Sequence, residues 1–167
     1  MDIVAPFFLN MKTTTTSAKK PTLVVAGLNQ LLADSYALMA NTHHAHWNIE
    51  GPEFFHMHQA FESQYDALFE AVDEIAERIR ALGFYSLGGL RAFAQTTKIA
   101  DFPTGQVSVH NFVAGLISGH EKALADAMAL RETSGAANDL ETQDLVIGRI
   151  QWHQKTLWML KSCLKSS

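Results

Sequence analysis

Between His46 and Glu77 the chain concentrates imidazoles and carboxylates at helical spacing. His46 stands beside Trp47, His58 precedes Glu62 by four residues, and Asp73 precedes Glu77 by four. Residues four apart on a helix share a face, so each of the last two pairs is a two-pronged donor set. Imidazole with carboxylate and no thiolate suits iron or another borderline divalent metal, and argues against a structural zinc site. The same spacing also fits an ordinary solvated acidic face. Against that reading, Tyr65, Phe69 and Ala76 lie on the same stripe, and ionisable groups mixed into an apolar face are costly unless paired or metal-bound.

Helix geometry limits what one copy of this segment can build. At about 100° per residue, positions 58, 62, 73 and 77 fall near 0°, 40°, 60° and 100°. Positions 62 and 73 are separated by ~16 Å along the axis, at ~1.5 Å per residue. One centre cannot use both pairs from one helix. Two antiparallel copies crossing at a twofold axis near Ala67 or Leu68 would set His58 and Glu62 of one chain beside Asp73 and Glu77 of the other, twice per dimer. A di-iron site inside one bundle normally needs two Glu-x-x-His motifs. Glu53-Phe54-Phe55-His56 is the sole copy in this sequence, so that arrangement is not expected.

The elements that must carry these groups read as four long helices. Leu28, Leu31, Leu32, Ser35, Leu38 and Met39 set a helical period from about Thr22 to Asn48, which Gly51-Pro52 breaks. A second helix from about Glu53 repeats Phe54, Met57, Phe61, Tyr65, Leu68, Phe69, Val72, Ile75 and Ile79, and closes at Gly83. A long connection follows, with a short helix expected over 87–94. A third long helix is expected over about 107–133, a turn at Ser134-Gly135-Ala136, and a fourth helix over about 139–164. No strand pairs or internal repeats are evident. The pattern predicts an all-α four-helix bundle with a short extra helix in its long middle connection. Other up-down bundles share it.

At 167 residues the chain is the size of one domain and can bury a core without disulfides. Charged residues make up only 18%, which favours either extensive subunit contacts or a large apolar core. A net charge of −4 gives no field that attracts nucleic acid. The single cysteine, Cys163, fits a reducing cytoplasmic compartment. The stretch Ile3 to Leu9 is short, contains Pro6 and follows Asp2, so neither a signal peptide nor a membrane span is expected there. Met11 is an alternative start. Residues 1–21, with the polar run Lys12 to Lys20, read as a flexible tail preceding a bundle domain over 22–167.

The run His46-Trp47-Asn48-Ile49-Glu50-Gly51-Pro52-Glu53-Phe54-Phe55-His56-Met57-His58 resembles the HWN-x-x-G-x-x-F-x-x-x-H signature of the Dps family, the DNA-binding proteins from starved cells or mini-ferritins. Asp73-Glu74-Ile75-Ala76-Glu77-Arg78 is similar to that family's D-x-x-A-E-R segment, and Leu82-Gly83 follows. The resemblance covers roughly residues 22–165. It implies a ferritin-like bundle assembled as a hollow homododecamer through twofold and threefold contacts. It further implies a ferroxidase-type oxidoreductase that oxidises Fe(II) at dimer interfaces, with hydrogen peroxide preferred over dioxygen. The Fe(III) product would be stored in the cavity, protecting DNA from oxidative damage.

By the resemblance, His46 and His58 match the family's histidine ligands, and Asp73 and Glu77 the carboxylates given by the partner chain. Glu62 stands where many members carry Asp, keeping the carboxylate and adding one methylene. Trp47 matches the tryptophan beside the centre, as electron donor or as packed aromatic. Asp139, Glu141 and Asp144 match the segment lining threefold pores, and they also suit an ordinary helix first turn. His43, His44 and His56 read as surface or supporting groups. His110, His120 and His153 read as histidines satisfied by hydrogen bonds at an interface. For DNA, Lys12, Lys19 and Lys20 with Lys161 and Lys165 offer little charge, so binding is expected to be weak and salt-sensitive, or absent. The alternative function is a nucleoid-associated DNA-binding protein whose iron site is secondary.

Overall fold

The computed structural model describes residues 22–165. The expected tail, with Lys12, Lys19 and Lys20, lies outside the described residues. The elements are α1 (Leu23–Asn48), α2 (Phe54–Ala81), α3 (Leu90–Thr96), α4 (Val109–Ala136) and α5 (Leu140–Cys163). No strand occurs among the described residues.

The chain directions follow from which residues meet. His46 on α1 faces His58 on α2, so the first two helices form an antiparallel hairpin. Gly119 on α4 packs against Leu38, and Gly27 against Leu130, so α4 also runs antiparallel to α1. His120 meets His153, and Gly135 meets Gln143, which makes α4–α5 a second antiparallel hairpin. Thus α2 and α4 are parallel, and residues 82–108 must cross the full length of the bundle between them. This one long crossover is the ferritin-like connection. It carries α3, which packs on α1.

The periodic apolar residues of the sequence become the core. Leu28, Leu31, Leu32, Ile75 and Ile79 are almost fully buried near one end, and Leu38, Phe61, Leu68, Phe112 and Leu116 near the other. Each such side chain contributes about 1.5–3 kcal/mol on burial. Phe69 departs from the expected pattern: it remains 65% exposed on this chain. Helix α1 is long and apolar enough to cross a membrane by composition. Its apolar side chains are instead the shared centre of the bundle, contributing to both halves of the core.

Two expected boundaries move. The short helix lies at 90–96 rather than 87–94. Asn29 Oδ1 accepts from the Leu87 backbone N–H at 2.8 Å, and Gly89 takes φ 90, so the chain stays extended until Leu90. The expected turn at 134–136 is still helix. Ser134 Oγ donates back to the Leu130 carbonyl at 2.8 Å, and Gly135 lies within the helix against the side-chain amide of Gln143 on α5. The glycine lies inside α4, before the turn. Asn138 makes the turn, with φ 54, and the Asn138 and Asp139 N–H groups close a Schellman motif on the Gly135 and Ser134 carbonyls.

Candidate metal centre

Helix α1 ends within two residues of His46, and its last carbonyls lack intrahelical donors. The turn through Gly51 (φ 113) and Pro52 sends α2 back along α1, which brings His58 level with His46. The two imidazoles stack with centroids 3.6 Å apart and planes 21° apart. Their hydrogen bonds are reciprocal. His46 Nδ1 donates to the His58 carbonyl and His58 Nδ1 donates to the His46 carbonyl, each at 2.9 Å. A carbonyl only accepts, so each Nδ1 carries the proton and each Nε2 presents a lone pair. This supporting bond is what orients and fixes a metal-ligating histidine.

Around this pair the contacts are aromatic. Phe54 stacks on His58 at 4.9 Å, and the Tyr65 ring meets His46 edge-on at 5.2 Å. Tyr65 also stacks on His43 at 4.0 Å, and His43 stacks on Trp47 at 5.3 Å. The Tyr65 hydroxyl donates a long hydrogen bond of 3.5 Å to Glu62 Oε1. Partial burial, then the His46 charge, hold the His43 imidazole below its ordinary value despite the nearby Asp66. Burial first, then the negative charges of Glu62 and Asp66, raise the Tyr65 phenol.

His46 and His58 are therefore together, with Glu62 one helical turn beyond His58 and exposed. Asp73 and Glu77 are also exposed and lie further along α2. Among the described residues of this chain, no three His, Cys, Asp or Glu side chains converge on one point. Trp47 is 70% exposed.

At the far end of α2, Arg78 reaches across to the start of α5. Its Nη2 pairs with Asp139 Oδ1 at 2.6 Å, and its Nε donates to Thr142 Oγ1 at 2.8 Å. Asp139 also caps α5, accepting from the Thr142 N–H at 3.1 Å and from the Thr142 hydroxyl at 2.7 Å. Burial alone would raise the Asp139 carboxyl, yet the Thr142 hydrogen bonds and the Arg78 guanidinium hold it below the ordinary carboxylate value. Of the candidate pore residues, Asp139 is thus committed to a cap and an ion pair, while Asp144 and Glu141 are exposed. Glu74, Glu77, Glu141 and Asp144 line one shallow depression with Arg78.

The chain matches the ferritin-like domain family over residues 25–166. It is 36% identical over 143 residues to an uncharacterized low temperature-induced protein of Nostoc sp., covering 85% of this chain and 80% of that one. It is 32% identical to the DNA protection during starvation protein of Agrobacterium fabrum, covering 83% and 86%. The crystal structure of the Dps protein from Vibrio cholerae O1 superposes with a TM-score of 0.82 at 32% identity, over 85% of this chain and 89% of that one. This chain belongs to the Dps family. That V. cholerae structure is described as a member of the ferritin-like diiron-carboxylate proteins.

Within this Dps chain, three arrangements were not readable from sequence. Arg78 was legible only as part of a motif, and its bond to Asp139 depends on the α2–α5 geometry. His43 read as a surface or supporting group and is the middle ring of a stack. His120 and His153 read as interface histidines. They are instead fully buried between α4 and α5, with Nδ1 atoms 2.9 Å apart.

Proposed function

We propose that this Dps protein is an iron-storage and detoxification ferroxidase working at centres shared by two copies of the chain. The observation that carries the reading is the reciprocal locking of His46 and His58. It leaves a lone pair on each Nε2 in a group that one chain does not complete. Asp73 and Glu77 of the partner copy are the groups that would complete it, with Glu62 from the same chain as the histidines. Exposed Trp47 and Phe69 support a face covered by a second copy. Further exposed apolar side chains, including Trp158 and Leu140, support the additional contacts of a hollow dodecamer.

Fe(II) is the substrate. His46 and His58 hold it as neutral donors. The carboxylates favour the Fe(III) product, because the higher charge gains more from anionic ligands. Hydrogen peroxide, or dioxygen more slowly, takes electrons from the paired irons, so hydroxyl radical is not released. Ferric iron then moves to the cavity, and DNA is protected by removal of both reagents. The acidic depression joining Glu77 to Asp144 supports an electrostatic route for Fe(II) from a threefold pore to the centre. The protein acts in the cytoplasm, and tail-mediated DNA contact is at most weak and salt-sensitive.

The test is anaerobic mixing of Fe(II)-loaded dodecamer with hydrogen peroxide. Two irons oxidised per peroxide, without spin-trapped hydroxyl radical, is the expected result. Oxidation no faster than in buffer would remove the reading.

A further inference from the structure

We propose that Arg149, His120 and His153 form a buried anion site in the α4–α5 hairpin, and that its ligand is a single chloride ion. The inference uses none of the proposed iron ligands and does not rest on the ferroxidase reading.

Trp152 gathers the cluster. The Arg149 guanidinium lies over its ring at 4.4 Å, and the rings of His120 and His153 meet it at centroid distances of 5.4 and 5.0 Å. Arg149 and His153 are four residues apart on α5 and so share one face of it. The Arg149 charge acts on both imidazoles. Both histidines are fully buried, and Arg149 is 9% exposed.

The unmet groups of this cluster add up to one anion. Arg149 Nε and Nη2 are buried and find no acceptor among the described residues. Together they form an edge of the guanidinium that grips an acceptor with two N–H groups. Arg78 shows the same edge satisfied, with Nε on Thr142 Oγ1 at 2.8 Å and Nη2 on Asp139 Oδ1 at 2.6 Å. None of the ion pairs among the described residues includes Arg149. Glu74 is the carboxylate whose charge acts on it, and Glu74 is exposed. The histidines add a further donor. One Nδ1 donates to the other, so the accepting ring carries its proton on Nε2, and that N–H is also buried without a partner.

Three N–H donors and one positive charge thus stand against one bare imidazole nitrogen. A buried charge without a counter-charge is strongly destabilising. A water molecule would accept from the donors and leave the charge uncompensated. A monovalent, monatomic anion answers both needs, and chloride is the abundant ion of that class. A phosphate would bring further oxygens into a place closed to solvent, each needing donors of its own. A ligand held by the folded chain alone stabilises it by mass action, so the bundle should respond to chloride itself and not only to ionic strength.

The experiment pairs diffraction with melting, both on the assembled protein. Crystals transferred into sodium bromide, measured at the bromine absorption edge, should show an anomalous peak in contact with Arg149 Nε and Nη2. In solution, exchanging about 200 mM gluconate for chloride at equal ionic strength should raise Tm by about 3 °C or more. Arg149→Met keeps the apolar stem and removes the charge, and it should abolish both the peak and the chloride–gluconate difference. Glu74→Gln should leave both in place. If Arg149→Met fails to assemble, the wild-type diffraction and melts decide the question. No bromide peak, with water or the Glu74 carboxylate on the Arg149 edge, would overturn the proposal. So would a peak without the difference in melting, which would mark binding at crystal concentration only. A chloride effect undiminished in Arg149→Met would place the anion elsewhere and overturn the assignment as well.

Discussion

The molecule holds two imidazole pairs, each joining two helices, and they differ in what their Nδ1 atoms touch. His46 and His58 give both Nδ1 protons to backbone carbonyls, which leaves a lone pair on each Nε2. His120 and His153 meet Nδ1 to Nδ1 at 2.9 Å, so one ring donates to the other. The first ring then has a bare Nε2 and the second an Nε2–H, and neither finds a partner among the described residues. Burial, then the Arg149 charge, lowers His120 to about 3, and burial with the charges of His120 and Arg149 lowers His153 well below its ordinary value. Arg149 itself lies over the Trp152 ring at 4.4 Å, and burial lowers it to about 10. An imidazole pair whose protons the backbone takes keeps both Nε2 lone pairs available to a metal, as proposed for His46 and His58. The same pair becomes a neutral core element when the rings take each other's.

The difference predicts opposite responses to acid and to substitution. Acid should act most strongly, through the buried pair. An unfolded histidine takes up a proton near pH 6.5, whereas His120 does so only near 3. Between those values the unfolded chain binds more protons, so stability falls as pH drops below about 6.5. At pH 5 the loss is about 2 kcal/mol for His120, and His153 adds to it in the same direction. Denaturant midpoints followed from pH 7 to pH 5 measure this. Replacing both His120 and His153 with Leu should flatten the dependence, and an equally steep dependence in that variant would break the contrast.

Next in size is the His46–His58 pair. Replacing His46 and His58 together with Ala should slow peroxide-driven Fe(II) oxidation at least tenfold, about 1.4 kcal/mol or more in the barrier. The assembly, checked by light scattering, should persist. Wild-type rates would remove these histidines from the chemistry. Arg78→Ala should cost about 1–2 kcal/mol of stability, because it leaves the half-buried Asp139 carboxylate without its guanidinium. A thermal melt unchanged within error would show that the Thr142 cap alone satisfies Asp139. The smallest effect is expected from Glu62→Asp, which keeps the carboxylate and shortens its reach by one methylene. Stopped-flow oxidation should change by no more than about threefold (~0.6 kcal/mol). A tenfold change would mean that the longer reach of Glu62, or its bond to Tyr65, matters more than the carboxylate alone.

The sequence made some of this legible and left the rest to tertiary geometry. Leu28, Leu31, Leu32 and Leu38 announced α1, because a helix that contributes to both halves of the core must repeat apolar residues at 3.6-residue spacing. The placement of His58, Glu62, Asp73 and Glu77 along α2 was equally readable, since one regular helix fixes their angles and rise. Ser134-Gly135 misled because a glycine inside a helix looks the same in sequence as a turn glycine, and here Asn138 takes the turn. Asp139 carried the signal of a helix first turn, but its pairing with Arg78, 61 residues earlier, needs the fold. The meeting of His120 with His153 was hidden for the same reason: it depends on the register between α4 and α5, which no local pattern encodes. The His43 ring in its stack needed the α1–α2 crossing as well.

The central claim is that each iron centre is divided between two chains, and mixed subunits test it most directly. One variant lacks the upstream groups, His58→Ala with Glu62→Ala. A second lacks the downstream groups, Asp73→Ala with Glu77→Ala. Each homo-oligomer should oxidise Fe(II) slowly. In a mixed dimer related by a twofold axis, one centre collects both defects and the other collects none. Co-assembled subunits, verified as mixed by native mass spectrometry, should therefore recover activity, up to about half of the centres in each mixed dimer. Verified mixed assemblies that stay as slow as the two parents would contradict a shared centre, and with it the account of why Glu62 and Asp73 sit ~16 Å apart on α2.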